Sequence, residues 1–156
     1  MEVLIVNERF QLPTLWQIVR GLRATIGERF AHLEPHLVDA IKLTVSELAE
    51  NIVKFAATDG DQTPIIELQA SASRIRIRSE NTVRSQEDAQ TVLRTLERIR
   101  AHANPTALFA QAIEESLEQA SGASRQGFYQ IAAVGGFQLE AVVTGDRLVV
   151  VAERDT

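Results

Sequence analysis

Between positions 36 and 57 an apolar residue returns every three or four places: Val38, Ile41, Val45, Leu48, Ile52 and Ala56. At about 3.6 residues per turn these positions form one stripe, and only a helix brings them together. Leu43 and Val53 lie off the stripe, so this helix is expected to be buried on more than one side. Its other side carries Glu47, Asn51 and Lys54 in a narrow polar line. The simplest meaning of such a line is a solvated helix face, and Glu50 with Lys54 forms an ordinary i,i+4 pair worth a few tenths of a kcal/mol. Two features favour a lined cavity instead. Asn is a mediocre helix former with no stabilising reason to sit mid-helix, and a helix buried on several sides leaves little surface to solvate. A carboxylate, a neutral amide oxygen and an ammonium held on rigid backbone suit a metal–phosphate site. The acid polarises an attacking hydroxyl, the amide oxygen ligates a hard cation such as Mg²⁺, and the lysine meets phosphate charge.

The rest of the chain places that helix among strands. Residues 2–12 are β-prone, and a helix is expected from Thr14 to about Phe30, with Leu15, Ile18, Val19, Leu22 and Ile26 on one face. Pro35 separates it from the long helix, expected from about His36 to Ala57, which stops at the turn-forming run 58–61. Strands follow at 64–70 and 73–80. Ser85 with Asp88 three residues on begins another helix, and Asn104-Pro105 begins the next. The small-residue loop 121–127 leads into a helical run 128–134, Gly135-Gly136 stops it, and a hairpin around Gly145-Asp146 closes the chain. This order predicts an α+β two-layer sandwich, a mixed, mostly antiparallel sheet covered on one face by helices.

A length of 156 residues suits a single domain over the whole chain, 1–156, with a proper core. A net charge of −5 removes any electrostatic case for nucleic acid, and the basic run Arg74-Ile-Arg-Ile-Arg78 reads as a strand with one solvated or cleft-facing side. With no cysteine, disulfides and thiolate metal sites are excluded. The early acid at Glu2 and a short apolar run argue against a signal peptide, and no stretch has the length of a membrane span, so a cytoplasmic protein is expected. His32 and His36 are separated by Pro35 and are not expected to act as a metal pair. The apolar N-terminal strand and first helix are candidate homodimer surfaces.

In this arrangement Glu47-xxx-Asn51-xx-Lys54, within Ser-Glu-Leu-Ala-Glu-Asn-Ile-Val-Lys-Phe-Ala, resembles the N box of the GHKL (Bergerat-fold) ATP-binding superfamily. Gly122…Gly127-Phe-Tyr-Gln-Ile-Ala-Ala resembles that superfamily's glycine-rich lid running into a helix and a final hairpin. The small size resembles the anti-sigma-factor serine kinases, and Glu80-Asn81 followed by two helices before the lid is most similar to the SiaB-like branch. The resemblance implies ATP and Mg²⁺ as cofactors. Asn51 would ligate the metal, Glu47 would act as base, and Lys54 would contact phosphate. Gly122 and Gly127 would close over the nucleotide, and Glu80 or Asn81 would accept the adenine amino group. It further implies a serine/threonine kinase acting on a small regulatory partner protein in a bacterial partner-switching circuit. One departure is plain: the usual Asp-x-Gly-x-Gly segment is replaced by Ser79-Glu-Asn-Thr-Val83. The alternative it implies is a degenerate module that no longer uses ATP and acts by docking a partner.

Overall fold

A computed structural model describes residues 1–11, 13–57, 63–118 and 126–156. Its elements run β1 (Glu2–Asn7), α1 (Leu15–Arg29), α2 (Pro35–Phe55), β2 (Ile65–Ala70), β3 (Arg74–Thr82), α3 (Gln86–Ala101), α4 (Pro105–Glu118), α5 (Gln126–Ala133), β4 (Gln138–Thr144) and β5 (Arg147–Asp155). The five strands form one sheet in the order β1-β2-β3-β5-β4, and helices pack on it as the expected α+β two-layer arrangement requires. Every pairing between these strands is antiparallel, so the mixed sheet of the expectation is antiparallel throughout.

The strands alternate. β2 buries Ile66, Leu68 and Ala70, and β3 buries Ile75, Ile77, Ser79 and Asn81 toward the helices. The opposite face of β3 carries Arg74, Arg76, Arg78 and Glu80. There the basic run is neutralised within the sheet, Arg76 meeting Glu153 at 3.1 Å and Arg74 meeting it at 3.2 Å. Ion pairs this open to solvent contribute at most about 1 kcal/mol. The first strand is shorter than its β-prone run because β2 offers six partners, Ile65 to Ala70, and the ladder ends with them.

Helix α2 starts with Pro35 at its first position, where a missing N–H costs nothing. Its last carbonyls are met by the Arg84 guanidinium, which donates to Val53 O at 3.3 Å and to Lys54 O. Thr44 and Ala49, which lie off the main stripe, are fully buried, and α2 touches α1, α5, β2 and β3. Burial on several sides is therefore as expected, although Leu43 and Val53, which suggested it, are themselves only half-buried. The helix ends at Phe55 and not at Ala57, since Ala56 turns extended to bridge Val83. α3 is capped by the Ser85 hydroxyl, which accepts from the Asp88 N–H at 3.1 Å, and α4 by Asn104 Oδ1, which accepts from the Ala107 N–H at 3.1 Å. Gly136, at φ 70°, ends the segment after α5 in the left-handed conformation that favours glycine.

Leu48 faces the sheet from the middle of α2 and is 1% exposed. Leu48→Ala is expected to lower the unfolding free energy by about 2–5 kcal/mol, read from urea titration, because the site is hemmed in by rigid elements and cannot collapse.

Candidate functional site

The polar line of α2 faces α5. Glu47 is half-buried and Asn51 lies one turn further along. Over both sits Gly127, buried in the first turn of α5. A Cβ at 127 would stand 2.6 Å from Glu47 Oε2 and 3.6 Å from Asn51 Nδ2. The two helices approach this closely only because residue 127 has no side chain. The expectation put Gly127 at the end of a loop before the helix. It lies inside the helix, and its role in the described residues is close packing against the acid. Gly122, the other lid glycine of the expectation, lies outside the described residues.

The Asn51 Nδ2 is buried and has no hydrogen-bond partner among the described residues. An amide left unpaired away from water costs about 1–3 kcal/mol, and such groups are rare outside functional sites. Burial pushes the Glu47 carboxyl above its ordinary range. The charge of Glu50 adds to this and that of Lys54 opposes it. Lys54 is thus close enough to act on Glu47, although its side chain is exposed. Glu47 and Lys54 of the polar line are coupled electrostatically.

Asn81 joins them and Glu80 does not. Successive side chains on a strand point to opposite faces. Asn81 and Ser79 therefore turn toward α2 and, with Asn51, Phe55 and Phe128, line a hollow of about 10 Å³, room for about one water. Asn81 donates its Nδ2 to Thr82 O at 3.1 Å. Glu80 lies on the sheet's other face, 2.8 Å from Arg78 and 3.5 Å from Arg147. Desolvation alone would raise its carboxyl, but the Arg78 hydrogen bond and both arginine charges hold it below the ordinary value. As an adenine acceptor beside Asn51, Glu80 is on the wrong side of the strand.

Thr91 and Thr95 of α3 line a second hollow of about 10 Å³ with Asn51 and Phe128. Sequence reasoning passed over Ser79, Thr91, Thr95 and Phe128. For Ser79 a signal was present: along Ile75, Ile77, Ser79 and Asn81 the inward register of β3 changes from apolar to polar. Among the described residues no group of three or more His, Cys, Asp or Glu could hold a metal ion, and no helix is long and apolar enough to cross a membrane. His36 is in the first turn of α2 and His32 precedes the helix, so the two histidines do not form a pair on one helix. No protein-family model matches the chain, and neither does any curated protein.

Two outcomes follow from this packing. Because the fold raises Glu47's proton affinity, the stability tied to its protonated form is present below the ordinary value of 4.5 and is lost as pH rises through the folded value. Thermal melts across pH should therefore show Glu47→Gln more stable than the parent at neutral pH, with the gap closing below that ordinary value. Gly127→Ala gains about 1 kcal/mol of helix propensity but must displace the Glu47 carboxylate, so its net effect should be near zero. In a Glu47→Ala background the full gain should appear, and a double-mutant cycle by urea unfolding measures the difference.

Proposed function

We propose that this chain is an ATP-dependent serine/threonine protein kinase of the GHKL type, acting on a small regulatory partner protein in a partner-switching circuit. The observation that carries the reading is the pairing of a half-buried acid of raised proton affinity, Glu47, with the buried, unpartnered amide of Asn51 beneath Gly127. A carboxylate that holds protons more tightly than usual is the better acceptor for a hydroxyl proton. Glu47 takes the proton of the partner's serine or threonine, and Lys54 offsets negative charge at the mouth of the site. The orphaned Nδ2 is a hydrogen-bond donor and suits an acceptor such as a phosphate oxygen. The side-chain oxygen of the same amide is a neutral ligand of the kind Mg²⁺ takes when it keeps most of its shell as water and substrate phosphate. Mg-ATP, when bound, supplies the transferable phosphoryl group; the protein's share is positioning and charge neutralisation.

A second reading has its own support. The described residues leave room for about one water beside Asn51, and Phe55 and Phe128 fill the space around it. Glu80 is held by two arginines, and Asp-x-Gly-x-Gly is missing. A GHKL-type module that no longer uses ATP and acts by docking its partner would have this shape. Calorimetric titration of Mg-ATP separates the two: micromolar binding supports the kinase, and no heat at millimolar nucleotide supports the docking module.

The kinase reading is tested with labelled ATP, Mg²⁺ and a partner protein encoded beside this chain. Asn51→Ala should abolish transfer while raising stability by about 1 kcal/mol, since it removes an unpaired amide and installs the better helix former. Transfer that continues undiminished in that variant would overturn the assignment.

A further inference from the structure

The closeness of α5 to Glu47 and Asn51 needs an explanation, because α5 is only eight residues long. A helix of that length does not hold itself in place in water; its tertiary anchors do. Phe128 and Ile131 supply apolar ones, being 4% and 0% exposed. The polar anchor is on another side. Tyr129 lies two residues beyond Gly127, so about 200° of helical turn separates them and they face roughly opposite ways. Gly127 meets α2, while Tyr129 meets Arg98 of α3: Arg98 Nη1 donates to the phenol oxygen at 3.3 Å, and the guanidinium lies 5.8 Å from the ring centre. The same guanidinium grips Glu115 of α4 with both prongs, at 2.7 and 2.9 Å. A second tie runs beside it, Gln126 Nε2 donating to Ser116 Oγ at 2.6 Å.

We propose that Arg98 is a positioning residue for the Glu47–Asn51 site: by holding Glu115 and Tyr129 together it seats α5 from behind, so that the backbone at Gly127 stays pressed against the two side chains. Its importance to the site rests on the functional reading above; the seating itself does not. Arg98 touches neither Glu47 nor Asn51 and acts through α5. A bidentate fork is what this task requires, because it fixes an angle as well as a distance, which an ammonium cannot do. The Arg98–Glu115 pair is about two-fifths exposed, at 38% and 41%, so it adds little to global stability and its loss leaves the fold standing.

Arg98→Met keeps the apolar stem and removes the fork. By native-state hydrogen exchange, the amides of Ile131 and Ala132, which bond back to the first turn of α5, should exchange about tenfold faster, while those of Ile75 and Ile77 in β3 keep the parent rate. Followed by carbon NMR, the Glu47 carboxyl should titrate nearer its ordinary value as water reaches it. Glu50 and Lys54, the charges acting on it from its own helix, are unchanged by the substitution. Arg98→Lys should recover only part of the effect, and Tyr129→Phe should reproduce part of it. Unchanged exchange in α5 would overturn the proposal, as would equal acceleration in β3, which would make the tie a general support. If the parent protein transfers label, Arg98→Met should lower kcat more than it raises KM. If the parent transfers none, the kinase reading fails, and the exchange and titration results alone decide the role of Arg98.

Discussion

Helix α2 is enclosed by α1, by α5 and by the sheet, and this enclosure sets the position of everything the protein presents chemically. A surface helix spends one face on the core and leaves the other to water. Here α5 covers part of the second face, so Glu47 and Asn51 on it are partly desolvated and must either find partners or remain strained electrostatically. Glu47 and Asn51 carry that burden. The raised proton affinity of one, to which the Glu50 charge adds, and the unpaired amide of the other both follow from burial where the backbone of α5 lies close by.

The close approach is possible because of one absent atom. With any Cβ at position 127 the carboxylate of Glu47 would have to move. In a lid, glycine serves by letting backbone N–H groups approach a phosphate; at Gly127 the same freedom lets a helix approach an acid. The two uses draw on one property, and the sequence pattern alone does not distinguish them. The layers behind α5 complete the arrangement, since the guanidinium of Arg98 joins the three successive helices α3, α4 and α5.

Most of the fold was legible because its signals are local. The stripe of α2, the Ser85 and Asn104 caps, the proline and glycine boundaries and the terminal hairpin depend on residues within a few positions of one another, and the observed elements follow them to within a few residues. The exceptions have non-local causes. β1 ends early because its partner strand ends, and α2 stops before Ala57 because Ala56 pairs with Val83. The site was legible in part. Glu47, Asn51 and Lys54 share a helix, so helical geometry put them together. Asn81 joins Asn51 and Glu80 does not, a difference decided by strand parity once the register of β3 is known.

The sequence by itself determined which residues make helix and strand, which face of α2 is apolar, and that an acid, an amide and an ammonium stand in line on its other side. These follow from backbone periodicity, which is the same in every protein. Only the tertiary structure decided that the acid and the amide are covered while Lys54 stays exposed, that Gly127 lies over them, that Glu80 is turned away and that Arg98 stands behind α5. Those facts depend on segments meeting across tens of residues, where burial and close packing, and not local preference, select which side chains share a space.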